Sequence, residues 1–151
     1  MHLYIQAYDK LLSNYLKRME GICSELPVEA LGWKPAPTMN SLEVLVVHTT
    51  GALRYWVGEL LGAEPAHRDR EAEFVIHGLS KAELRAALNE TQVQLSRVLE
   101  KLMPDALKAK CYSTIHKDYF TGAFAMAHAL EHTALHVGHM EITRDLWKRN
   151  G

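Results

Sequence analysis

Four of the nine histidines in this 151-residue chain, His128, His132, His136 and His139, fall within twelve consecutive residues. An even spread would put fewer than one there. At about 100° per residue, with His128 at zero, His132 falls near 40°, His136 near 80° and His139 near 20°, so a helix here carries all four on one face. Phe124, Leu135 and Ile142 fall at small negative angles, which predicts that the histidine face overlaps the buried face. Buried imidazoles cost free energy unless their nitrogens are satisfied, and a divalent cation satisfies several at once while holding the rings neutral. His132 and His136, spaced i and i+4, can present two nitrogens to one such ion.

His48 is the candidate for a third ligand. It sits in LEVLVVHTTGALRYW, and Leu45, His48, Ala52, Tyr55 and Trp56 share a helical face, so His48 should point into the interior and meet the pair from another helix. Three neutral imidazoles would leave positions on the ion open to water or substrate. His128 and His139 read as supports or substrate contacts, and Tyr55, Trp56 and Glu59 as a continuation of the His48 face toward a small-molecule substrate. Against this stands the plainer expectation that Tyr55 and Trp56 are core and that Arg70 and Glu73 form a surface ion pair. His2, His67, His77 and His116 read as solvated. There is no HExxH, GxSxG or glycine-rich phosphate loop, and Glu64–His67 spells ExxH only across a proline. Cys111 with His116 is weak support for a nucleophile, so no catalytic residue is assigned.

The elements that must position these residues are helical. Tyr4, Tyr8, Leu11, Leu12, Tyr15, Met19, Ile22, Cys23 and Leu26 recur in steps that make one helical stripe, closed by Pro27. Residues 27–40 hold three of five prolines and read as a fixed loop. Asn40 with Glu43 spells a capping box for a helix to about Leu61, and Ser80 with Glu83 a second, followed by Leu84, Leu88, Thr91, Leu95, Val98 and Leu102. Residues 62–79 form a long connection with room for a short helical turn, and residues 111–120 show modest strand character or an extended crossover. A last helix runs from Thr121 to basic residues that suit its C-terminus. The expected fold is all-α: one domain over residues 1–151, a four-helix bundle with at least one long crossover connection.

Composition narrows the function classes. With 17 basic and 18 acidic side chains intermixed, the chain has no basic excess for nucleic acid. No apolar run approaches a membrane span and no export signal opens the sequence, while two distant cysteines argue against a disulfide framework, so a reducing cytoplasm is expected.

Taken together, ALGWKPAP after the first helix, LEVLVVHTTGALRYW, RDREAEF in the long connection and EHTALHVGHMEITRDLW at the end resemble the DinB/YfiT-like superfamily of small bacterial helical bundles. The resemblance covers most of the chain and implies a divalent-metal site on His48, His132 and His136. Where the family pattern continues HxxxHxGQ, this chain has His139 in place of the glutamine. Characterised relatives include bacillithiol- or mycothiol-dependent S-transferases and a mycothiol-dependent maleylpyruvate isomerase. The resemblance thus implies a low-molecular-weight thiol as cosubstrate, with Arg70 the candidate for its anionic group, and a homodimer. Zinc, nickel, manganese and iron all accept such imidazoles. The expected activity is thiol S-transferase-like or hydrolase-like, with the ion activating a thiol or water. The competing expectation is a non-enzymatic metal-binding or stress-response bundle with a structural metal, closed by a fourth ligand from His128 or His139.

Overall fold

A computed structural model describes residues 3–150, leaving His2 outside the described residues. The elements run α1 (Leu3–Glu25), α2 (Val28–Leu31), α3 (Leu42–Leu53) with a π-helical turn (Arg54–Glu59), α4 (Arg70–Glu73), α5 (Lys81–Lys101), a 3-10 turn (Pro104–Leu107), β1 (Lys110–Ser113), β2 (Asp118–Thr121) and α6 (Gly122–Asn150). α1 and α3 each pack on both α5 and α6, so α1 stands opposite α3 and α5 opposite α6. The connections from α1 to α3 and from α5 to α6 therefore cross the bundle, while the long loop between α3 and α5 joins neighbours. The bundle is the expected all-α fold, with one addition. The ambiguous segment before α6 forms an antiparallel hairpin that pairs Cys111 with Phe120 and Tyr112 with Tyr119.

Local chemistry explains the boundaries and corrects some of them. Ser80 and Glu83 do form a reciprocal capping box at α5. Asn40 does not cap α3; Ser41 does, its hydroxyl accepting from the Val44 amide. Glu43 is thereby freed to turn inward, where its carboxylate accepts from the Leu79 amide and ties the end of the long loop to α3. The α3 helix widens at its C-terminal end, where Leu60 and Gly62 donate to the carbonyls of Tyr55 and Val57 five residues back. In this turn Tyr55 and Trp56 are both buried although adjacent in sequence.

The α1 core stripe is Ile5, Tyr8, Leu12, Leu16, Met19, Ile22 and Cys23, with Tyr4 and Leu11 exposed. α5 follows the expected stripe, Leu99 joining it. On α6 the expectation fails in an informative way. Its buried residues include Ala129, Thr133, Val137 and Met140, which lie at about 100° to 180° from His128, whereas Phe124, Leu135 and Ile142 are 48%, 54% and 56% exposed. The histidines occupy the border between the core and an apolar strip facing solvent, so they can reach His48 and still be approached from outside.

Candidate metal centre

The structure brings His48, His132 and His136 together: one nitrogen from each lies within 4.8 Å of the other two. His48 reaches across from α3, its Nε2 lying 3.0 Å from Nε2 of His132. Nε2 of His136 lies 3.1 Å from the same His132 atom, as the one-turn spacing on α6 allows. Burial, with the charge of neighbouring His136, His48 and His128, pushes His132 down to about 3. Burial, with His48 and His139, pushes His136 down to about 4. Both rings are therefore neutral at physiological pH, the form that ligates.

The nitrogens around the cluster fix where the protons sit. Nδ1 of His48 lies 2.9 Å from Oε2 of Glu73, a carboxylate that accepts only, and 3.4 Å from Nη2 of Arg68, so the bond to Glu73 calls for a proton on Nδ1, which in a neutral ring leaves Nε2 a lone pair. Glu73 is buried on α4, where Arg68 donates from Nε to Oε1 at 2.7 Å and from Nη2 to Oε2 at 2.9 Å. Burial alone would raise the Glu73 carboxyl, but the hydrogen bonds from Arg68 and His48 and the Arg68 charge hold it below the usual range. Nδ1 of His132 is buried without a partner. A proton on its Nε2 can serve only one of the two facing Nε2 atoms; with the His132 proton on Nδ1 and the His136 proton on the Nδ1 that faces His139, three lone pairs converge. This donor set fits a cation, which all three lone pairs satisfy together.

The remaining candidates surround this cluster. His139 is exposed, and its Nδ1 lies 3.3 Å from Nδ1 of His136. His128 is half-buried, its ring 4.7 Å from Trp56 and 5.9 Å from His132 between centroids. His116, expected to be solvated, is exposed, with its ring stacked on Trp56 at 5.0 Å; partial burial there and the nearby His128 lower its pKa. Tyr55 is core, its hydroxyl 2.6 Å from Oγ of buried Ser113. Glu59 accepts from the Ala66 amide and, with Tyr55, His67, Arg68 and Ile115, lines a cavity of about 420 Å³. Arg70 is exposed over the Phe74 ring and does not pair with Glu73, as the surface-pair expectation had it. Glu64 pairs with Arg97 and is no part of the cluster.

The family model described as the DinB superfamily matches residues 11–140, which span both the α3 histidine and the α6 pair. The chain belongs to the DinB superfamily. Among solved structures, this DinB-superfamily chain is similar to a conserved protein from Enterococcus faecalis, at 19% identity and a TM-score of 0.80 over 97% of each chain. YfiT from Bacillus subtilis, described as a probable metal-dependent hydrolase with an unusual four-helix bundle topology, matches at 15% identity and a TM-score of 0.77, over 100% of this chain and 90% of that one. A DinB-like protein from Bacillus subtilis, YjoA, matches at 16% identity and a TM-score of 0.67, over 94% and 92%. At these identities the likeness is one of fold. No curated protein matches.

In this DinB-superfamily member the inward role of Glu73, expected only as a surface partner of Arg70, and the whole role of Arg68 were not legible in the sequence. Both lie in a polar stretch that reads as solvated, and RDREAEF offers several possible pairs; only the fold shows that Glu73, and not Glu71, is turned toward His48. The available signal was the short helix itself, which Asp69 caps by accepting from the Ala72 amide.

Proposed function

We propose that this protein is a divalent-metal-dependent enzyme acting on a small molecule, with His48, His132 and His136 as ligands and chemistry of the thiol S-transferase or hydrolase type. The observation that carries the reading is the convergence of three histidine nitrogens from two helices. A bound ion supplies Lewis acidity, lowering the pKa of a thiol or water so that a nucleophile exists at neutral pH. The similarity to YfiT supports the hydrolytic form, and the family resemblance the thiol form.

The protein's own residues prepare that step. His139, 3.3 Å from Nδ1 of His136, can accept a hydrogen bond from a proton there and leave the Nε2 of His136 as a lone pair. Trp56 and Phe124 flank His128, whose ring neighbours that of His132. Arg70, exposed beside Phe74, which itself packs on His48, is the candidate partner for an anionic group of a thiol.

The competing structural-metal reading calls for a fourth protein ligand. Among the described residues the cluster holds three, with His139 at the outer nitrogen of His136. That favours a site open to water or thiol. Elemental analysis of untagged protein, beside a His132→Ala/His136→Ala double variant, tests the reading. We expect about one equivalent per chain in the parent and none in the variant. A parent that stays metal-free after dialysis against zinc or nickel refutes it. On loaded protein, product formation that requires added thiol marks a transferase, and formation without thiol a hydrolase.

A further inference from the structure

Glu73 is an acidic side chain only 5% exposed, on a four-residue helix in a connecting loop, and nothing in the core packing requires a charge there. Its carboxylate nonetheless lies against three nitrogens: Nδ1 of His48 at 2.9 Å, and Nε and Nη2 of Arg68 at 2.7 and 2.9 Å, with that Nη2 also 3.4 Å from Nδ1 of His48. The Arg68 side chain is itself 5% exposed. The space that admits this ion pair is made by Gly51 on α3, one turn after His48. A Cβ at position 51 would collide with Oε1 of Glu73 and come within 3.1 Å of its Cδ. Three separate features of the sequence, a glycine on α3, an arginine in the loop and a glutamate on α4, therefore converge on one nitrogen of one candidate ligand.

We propose that Glu73, clamped by Arg68 and admitted by Gly51, is the positioning residue of the metal centre, holding the His48 proton on Nδ1 so that Nε2 is presented to the ion. The inference rests on the metal reading above and extends it to residues outside the candidate ligand set. The physical reason is that an imidazole carries one proton and two nitrogens. Unless the outer nitrogen has an acceptor, the proton can occupy the ligand nitrogen instead. A carboxylate cannot donate, so it fixes the choice. The Arg68 fork keeps both carboxylate oxygens oriented and Glu73 ionised at the depth where it sits.

Two variants separate this role from mere packing. Glu73→Gln offers one carbonyl where three N–H groups point, so its amide N–H₂ faces either the guanidinium or His48. Gly51→Ala keeps every charged group and displaces the carboxylate by sterics alone. Zinc affinity is measured by competition with a chromogenic chelator, on variants whose helical circular dichroism and cooperative melting match the parent. Outer carboxylate partners of ligand histidines typically change affinity 10- to 100-fold, and a loss in that range is expected for each variant. Independently, ¹⁵N chemical shifts of the histidine rings in metal-free protein at neutral pH report the tautomer. The parent should show His48 protonated at Nδ1, and both variants a shift toward the Nε2-protonated form. Should Glu73→Gln fail to fold, Gly51→Ala carries the test alone. Unchanged zinc affinity and an unchanged His48 tautomer in a folded variant overturn the proposal. A parent that binds no zinc overturns the metal reading instead, while the tautomer measurement still decides what Glu73 does.

Discussion

Nδ1 of His139 lies 3.3 Å from Nδ1 of His136, at the nitrogen of that ring not facing His132. The side chain that stands where the family pattern has glutamine is thus a hydrogen-bond partner of a candidate ligand and is not turned into the cluster. A glutamine carbonyl can accept the same Nδ1 proton. His139→Ala is expected to weaken zinc binding about tenfold without abolishing it, the lower end of the range for such partners because the contact is exposed. His139→Gln should restore it. Loss of all metal from His139→Ala would mean that His139 is a ligand, and the site would then be closed.

Trp56 is 4% exposed and is enclosed by His116, Phe120, Phe124 and His128. Its first role is to hold this aromatic cluster together beside His132. Trp56→Ala should cost about 3–5 kcal/mol of stability, as for other buried tryptophans, and let His128 turn away from its present seat. Chemical denaturation measures the first effect, and the His128 ring shifts in NMR spectra the second. A loss below about 1 kcal/mol would show that Trp56 is available to substrate and not committed to the core.

The same residues show what could be read from the chain beforehand. The bundle was legible because its helices carry strong periodic stripes, and the His132–His136 pair because a one-turn spacing has a single geometric meaning. His48 was legible as a polar residue in an apolar run. What could not be read depended on contacts between distant segments. Glu73 meets His48 across 25 positions, and a polar loop gives no period from which its inward side can be inferred. The burial of α6 was misjudged because its core face alternates small or polar residues, Ala129 and Thr133, with Val137 and Met140, while Phe124, Leu135 and Ile142 lie outside. Asn40 lost the cap to Ser41 because both residue types cap equally well and the loop from Pro27 decides the register.

Tyr55 fastens the hairpin to the bundle. Its hydroxyl is 2.6 Å from Oγ of Ser113, which also accepts from the His116 amide at 3.1 Å. Ser113 is fully buried, so Tyr55→Phe leaves its hydroxyl short of a partner and should cost about 1–2 kcal/mol. Because the lost bond joins the π-helical turn to β1, the effect should be local. Amide hydrogen exchange is expected to accelerate through residues 110–121 and remain unchanged in α1 and α5. Uniform acceleration would instead mean that the hairpin opens only with the whole molecule.

The depressed pKa values of His132 and His136 set how the metal-free protein responds to acid. Folded, these rings resist protonation until about pH 3 and about pH 4; unfolded, an ordinary histidine takes up its proton near 6.5. Between those limits the unfolded chain binds more protons than the folded one, so stability falls as pH is lowered. The loss begins as pH drops through about 6.5, ends near 4 for His136 and continues toward 3 for His132. Glu73, held low by its partners, adds a further loss only as pH falls below the ordinary carboxylate range. A His132→Gln/His136→Gln double variant keeps polar side chains at both positions and removes both titrations. Urea midpoints of chelator-treated protein should therefore decline between pH 7 and pH 5 more steeply in the parent than in the variant. Identical slopes would mean that the two rings are solvated enough to protonate in place, and a cluster that charges so readily would bind a cation only weakly at neutral pH.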